Sequence, residues 1–335
     1  LEISPAGKAA SGVDLSLSKT DKIIVTGGAG FVGSFIMEKL AALGYTNLLP
    51  LRKRDFDLTH EAEVDRLYQT HKPDVIVHLA AEVGGIGANR DNPGRFFFAN
   101  MAMGMHLIEA ARKFGLKKFV QIGTICAYPN LTPVPFNEAN LWNGYPEITN
   151  APYGIAKKSL LVMCQAYRQQ YGLNAIYLLP VNLYGPRDNF HPHSSHVIPA
   201  LIRKCVEARD NGVDHLSAWG TGSASREFLY VEDCADGIIA SLEKYDSPEP
   251  MNLGSGREIS IKNLTELIAR LSNFKGRVIW DPTKPDGQPR RCLDVSRAKS
   301  EIGFVARTSL EDGLSKTIKW FEDQHGNVTE RSFTS

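Results

Sequence analysis

The sequence predicts an α/β protein, a doubly wound parallel sheet followed by a smaller mixed α/β C-terminal lobe. Three observations predict it. A glycine-rich loop, TGGAGFVG, sits between an apolar run and a helical pattern; short apolar runs alternate with helix-spaced segments as far as Pro180; and beyond Pro180 that alternation loosens. Strands that alternate with helices at such spacing form a parallel sheet covered on both faces.

The elements follow in order. Ile23-Ile24-Val25 reads as the first strand, and Phe35 to Leu43 continues from the glycine loop with helical spacing. A second apolar run, Asn47 to Leu51, completes a βαβ opening and ends in Arg52-Lys53-Arg54. Then come a strand at Val75 to Leu79, a long helical pattern from about Pro93 to Phe114, and a strand at Lys118 to Ile122. A helix around Tyr153 to Tyr171 and a strand at Ala175 to Leu179 extend the series into a Rossmann-type sheet. Past Pro180, Gly, Pro, Asn and His crowd Asn182 to Ser195, and the remainder mixes short strands with helices such as Ser260 to Ser272. We therefore expect a nucleotide-binding domain over 21–182, with about 228–256 returning to it, and a substrate lobe over 183–227 and 257–324. Residues 1–20 read as a disordered leader or tag remnant, and 325–335 as a flexible tail.

The totals exclude several classes of function. With 38 Lys+Arg against 37 Asp+Glu the net charge is +1, so bulk charge argues for neither nucleic acid nor an anionic membrane. The 5 Cys form no CxxC pair and no metal-ligand spacing, so free thiols and no metal are expected, as suits a reducing, cytoplasmic setting. No apolar run approaches the roughly 18 residues that span a bilayer.

Gly27, Gly30 and Gly33 give a GxxGxxG spacing between strand and helix. Missing side chains let backbone approach a pyrophosphate, which meets the free N–H groups of the helix N-terminus. The second strand's end selects the dinucleotide. An acidic residue there would suit the ribose of NAD; Arg52, Lys53 and Arg54 suit a 2′-phosphate, so NADP(H) is the expected cofactor, a solvated basic turn being the competing reading. Asp57 either contacts the adenine or caps the helix after it.

Tyr153 and Lys157 form a YxxxK pair, which a helix places on one face a turn apart. A neighbouring cation is expected to lower the phenol's pKa and ready it for proton transfer. Thr124, at the strand end about thirty residues earlier, supplies a second hydrogen bond to a substrate carbonyl oxygen.

TGxxGxxG, HLAA, a Ser/Thr at a strand end and YxxxK together resemble the extended short-chain dehydrogenase/reductase family of nucleotide-sugar enzymes, over roughly residues 22–323. NLYGPRDNFHPHSSHVIPAL, SREFLYVEDCADG, KPDGQPRRCLDVSRAKSEIGF and SLEDGLSKTIKWF resemble the branch that epimerises and reduces GDP-linked 4-keto sugars. Thr124 stands where bacterial members of that branch commonly have Ser. The resemblance implies a GDP-sugar substrate and a homodimer formed through a helix pair that includes the YxxxK helix. It assigns proton exchange on opposite faces of the sugar to Cys126 and His196, with His191 and His193 as nearby rivals for the imidazole and the other cysteines structural. For the cofactor it implies contacts from Phe31, Val32, Leu79, Ala80 and Ala81, and from Lys157, Pro180, Asn182, Leu183 and His196. Arg187, Arg226 and Lys284 match basic positions for the GDP moiety, and Trp219 and Asn182 are candidates for the sugar or guanine pocket.

Overall fold

The computed structural model describes residues 17–332 other than 193 and 285, so most of the expected leader and the rival His193 lie outside the described residues. The first half runs β1 (Ile23–Thr26), α1 (Phe31–Ala42), β2 (Leu48–Leu51), α2 (Glu61–His71), β3 (Val75–His78), α3 (Ile86–Asp91), α4 (Pro93–Lys113), β4 (Lys118–Ile122), α5 (Ala151–Tyr171) and β5 (Ala175–Pro180). The second runs β6 (Asn182–Tyr184), α6 (Val197–Asp210), β7 (His215–Trp219), β8 (Ser225–Tyr230), α7 (Val231–Lys244), β9 (Met251–Leu253), β10 (Glu258–Ser260), α8 (Ile261–Leu271), β11 (Arg277–Asp281), β12 (Arg290–Arg291), α9 (Ser296–Ile302) and α10 (Leu310–Ser332).

Six strands form one parallel sheet in the order β2-β1-β3-β4-β5-β9. Every residue of β1, β3, β4, β5 and β9 is buried, and only the edge strand β2 is half-buried. Burial on both faces is why these segments read as mostly apolar runs. Helices α2, α4 and α5 pack together, as do α1, α7 and α9, and the two groups cover the sheet's two faces. Pro93 begins α4, where a missing N–H costs nothing, and Gly172 ends α5 in the left-handed region at φ 70°.

Because the chain leaves β1 for β2 on one side and returns to β3 on the other, the order reverses between β1 and β3. A crevice opens outside the carboxyl ends of the strands at such a point, and Thr26, His78 and Ile122 all end there. The second half caps this crevice. β8 is joined by β6 and β12 in parallel and by β10 antiparallel, while β7 pairs with β11 separately. Glu227, fully buried on β8, ties this lobe together: its Oε2 accepts from Leu293 N at 2.6 Å and its Oε1 from Gly256 N at 2.7 Å. Asn252 of β9 joins the two halves, donating from Nδ2 to Phe136 O and Asp294 O and accepting the Tyr128 hydroxyl at 2.7 Å.

Among the helices that the sequence reading left unassigned are α2 and α6. α2 buries only Val64, Leu67 and Tyr68, so its apolar stripe is faint. α6 begins directly after the Gly/Pro/His-rich stretch, which masked its start. Helix α10 continues through Ser332, into the stretch read as a tail. Among the described residues no helix is long and apolar enough to cross a membrane.

Candidate active site

A cavity of about 1130 Å³ occupies the crevice between the large sheet and the second lobe. Its cofactor-facing end is built by the β1–α1 loop. Gly27 takes φ 70°, and a Cβ on Gly33 would stand 2.2 Å from Gly27 O, so the first turn of α1 closes on the loop only with glycine there. α1 has Gly30 at its N-cap with no capping side chain and no acidic residue in its first turn, and Gly30 to Gly33 line the cavity. These uncapped N–H groups and the positive end of the helix dipole fit a diphosphate. Gly33→Ala is expected to weaken dinucleotide binding by about tenfold or more and to destabilise the fold by about 1–3 kcal/mol, read by fluorescence titration and thermal unfolding.

Arg52 and Lys53 line the cavity, and Arg54 does not. Lys53 Nζ pairs with Glu82 at 2.9 Å, and Glu82 also takes Arg95 Nε at 2.7 Å. Arg52 enters no ion pair among the described residues, whereas Arg54 turns outward, 3.8 Å from Asp55. Asp57 lines the cavity, and its Oδ1 accepts from Thr59 N and the Thr59 hydroxyl, bonds that hold its carboxyl below the usual range. α2 has His60 as its N-cap, so Asp57 does not cap that helix. Leu79, Ala80, Ala81, Pro180, Asn182 and Leu183 also line the cavity.

The opposite wall starts where β4 ends. Thr124 caps a short 3-10 turn, Ile125–Ala127, its Oγ1 accepting from Cys126 N at 3.2 Å. This turn presents Cys126 to the cavity beside Thr124 and Tyr153. α5 lies directly against it: a Cβ on Gly154 would stand 2.3 Å from Cys126 O, so glycine is what lets the helix approach and set Tyr153 next to Thr124. The Thr124 hydroxyl favours the ionised form of the phenol.

The electrostatics depart from the sequence expectation. Burial raises the phenol of Tyr153 above its ordinary pKa, with Cys126 adding to the rise and the Thr124 hydroxyl opposing it. Lys157 does not pull the phenol down; 1% exposed, it is itself depressed to about 8 by desolvation. Burial dominates, and Tyr153 stays a protonated acid through neutral pH. Lys157 lies behind the lining residues, one turn along α5.

His196, the N-cap of α6, opens into the cavity without capping the helix by its side chain. The residue is exposed at the cavity wall, and desolvation by the neighbouring protein lowers the pKa of its ring. His191 is outside the cavity lining. Cys164, Cys205, Cys234 and Cys292 are buried free thiols whose pKa burial pushes up to about 12.

Trp219 and Arg226 line the far end. Arg226 donates to Ser225 O at 2.7 Å and Asp286 O at 3.1 Å, and burial beside Arg291 lowers it to about 10. Two expected GDP contacts stand elsewhere. Arg187 turns to Glu38 of α1 at 2.6 Å and covers the Phe35 ring, and Lys284 stands 5.7 Å from the Trp219 ring centroid without lining the cavity. In their place the cavity holds Lys204, Asp286 and Arg291, which the sequence reading missed. Lys204 lies on the unassigned α6, and Lys204 Nζ donates to Ser217 O at 2.7 Å. Among the described residues no cluster of His, Cys, Asp and Glu could hold a metal ion.

Comparison with known proteins decides the lineage of this site. The model of the NAD dependent epimerase/dehydratase family matches residues 23–254. GDP-L-fucose synthase 1 of Arabidopsis thaliana is 44% identical over 90% of this chain and 94% of its own. The chain belongs to the epimerase/dehydratase family. The GDP-L-fucose synthase of Escherichia coli is 38% identical over 90% of this chain and 96% of its own. A solved GDP-L-fucose synthetase of Naegleria fowleri bound to NADP superposes with a TM-score of 0.85 at 27% identity, covering 93% of this chain and 97% of that one. The resemblance drawn from the motifs is borne out. For a member of an NAD(P)-dependent epimerase/dehydratase family, the uncapped N-terminus of α1 is the fitting seat for the dinucleotide.

Proposed function

We propose that the chain is a GDP-L-fucose synthase: a 3,5-epimerase of GDP-4-keto-6-deoxy-D-mannose and an NADPH-dependent reductase of its 4-keto group. The observation that carries the reading is the gathering of Thr124, Cys126, Tyr153 and His196 on one cavity. A simple 4-epimerase needs no thiol at that strand end, and a 4,6-dehydratase normally carries an acid pair where this chain has Thr124-Ile125-Cys126.

Thr124 and Tyr153 hold oxygen 4 by hydrogen bonds, which makes the protons on carbons 3 and 5 acidic and stabilises both enolates at one place. Cys126 takes a proton from one face and His196 returns one to the other. When bound, the dinucleotide supplies hydride to carbon 4. Tyr153, kept protonated by burial, then gives its proton to oxygen 4. Lys157 sits a turn away on α5, on the same helix face as the phenol. Arg226 and Lys204 suit the diphosphate.

Arg52, lining the cavity without an ion-pair partner among the described residues, suits the 2′-phosphate of NADPH. Arg52→Ala is expected to raise the KM for NADPH by about tenfold, the loss of one charge-assisted contact, and to leave that for NADH nearly unchanged, as steady-state titration of both cofactors would read. Phe98 and Met105 on α4 and Val162 on α5 are exposed on the packed helix pair, an apolar face that suits a homodimer, readable as mass in solution. We take 21–182 with about 228–256 as the cofactor domain and the rest of 183–324 as the substrate lobe.

The deciding assay is NADPH consumption with GDP-4-keto-6-deoxy-D-mannose, followed by the product's stereochemistry. Inversion at carbons 3 and 5 is expected. A reduced product with both centres retained would leave a plain reductase, and preference for a 3-deoxy substrate would mark a keto-dideoxy-sugar synthase instead.

A further inference from the structure

The second lobe delivers a cation to the thiol. Arg291, only 9% exposed, places Nη1 3.8 Å from Cys126 Sγ. Its guanidinium is fixed from behind: Nε donates to Gln288 Oε1 at 2.7 Å, and Gln288 Nε2 donates to Asn130 O at 2.6 Å, in the loop that carries Cys126. Arg291 forms no ion pair among the described residues, while its neighbour Arg290 is bound to Glu258 at 2.7 Å. Arg226 stands beside it as its register partner between β12 and β8, and the positive charge of Arg291 acts on Arg226. A buried cation without an anion is costly, and the group within reach that can become one is the sulfur.

We infer that Arg291 is a positioning residue that stabilises the Cys126 thiolate and aims it, and so makes this cysteine the base of the epimerisation. The inference rests on the proposed role of Cys126 as a proton carrier. In the step, the C–H bond at carbon 3 or 5 breaks and an S–H bond forms. The bonding pair moves into the enolate, whose charge settles on oxygen 4. The negative charge thus leaves sulfur as the proton arrives, and Arg291 favours the state from which the step begins. Gln288 keeps the guanidinium on the sulfur when a substrate diphosphate competes for it.

The test reads the thiol in the substrate-free enzyme. Carbamidomethylation of Cys126 by iodoacetamide is followed by peptide mass across a pH series. In Arg291→Met the midpoint of the rate is expected to move alkaline by about one unit, the usual effect of removing one close opposite charge. Deuterium uptake at carbons 3 and 5 should fall about tenfold at neutral pH and recover on the alkaline side. Arg291→Lys, which keeps the charge, should retain most of both. Gln288→Leu, which frees the guanidinium, should fall between, and it carries the test should Arg291→Met fail to fold. An unmoved midpoint in Arg291→Met, or in Gln288→Leu in that event, overturns the inference, as does an effect confined to GDP affinity, which would make Arg291 a phosphate ligand. Undiminished deuterium uptake in Cys126→Ser would instead remove the underlying role of the cysteine, whatever the alkylation profile shows.

Discussion

Replacing Tyr153 by phenylalanine is expected to lower NADPH oxidation with the 4-keto sugar by about 10³-fold or more, because one hydroxyl polarises the ketone and protonates oxygen 4. The ring is buried against the 3-10 turn and would stay in place, and the Thr124 cap on Cys126 N does not involve the phenol. NADPH affinity and thermal stability should therefore remain close to those of the parent. Enolate formation should fall as well, because oxygen 4 keeps only the Thr124 hydrogen bond. Stopped-flow oxidation of NADPH beside a binding titration would separate these quantities. Substantial turnover in this variant would show that another acid reaches oxygen 4 and would break the single-site scheme.

Cys126→Ser should act on the other half of the reaction. Serine keeps the shape of the turn, but its hydroxyl is far too weakly acidic to supply a base at neutral pH. Deuterium uptake from heavy water at carbons 3 and 5 is expected to fall by about 10²–10⁴-fold, the usual span for a lost general base. Product still formed by reduction would keep the substrate's configuration at both carbons. A substrate already inverted at both centres should be reduced at nearly the parent rate. Uptake equal to the parent's would take the cysteine out of the chemistry.

The large sheet was legible because its physics is one-dimensional. A strand buried on both faces is mostly apolar, and Ile23–Thr26, Val75–His78, Lys118–Ile122 and Ala175–Pro180 read so apart from Thr26, His78, Lys118 and Gln121. The second lobe was less so. β7 alternates exposed and buried residues over only five positions, and β12 has two residues, so their pairings depend on register with distant partners. The same division runs through the site. Thr124, Cys126, Tyr153 and His196 carry chemistry in their residue types and lie near element ends, and all four face one cavity. Arg291 reaches Cys126 from 165 positions away through strand pairing, and no local pattern announces that. Arg187 shows the converse. A matching motif gives a residue's place along the chain but not the direction of its side chain, and at φ 69° the backbone turns this one toward α1. The raised pKa of Tyr153 was hidden likewise, since helical spacing predicts a cation's attraction and only packing reveals the desolvation that dominates.

The sixth strand of the large sheet has a consequence for how the polypeptide is made. β5 is complete by Pro180, yet the strand that covers its outer edge is not synthesised until Met251–Leu253. During translation, a wholly apolar rim with unpaired backbone groups waits for some seventy further residues to emerge. Ribosome-bound chains halted between these points should recruit chaperones or clump. A gene cut after codon 182 should give an insoluble first fragment, rescued only when the remainder is co-expressed.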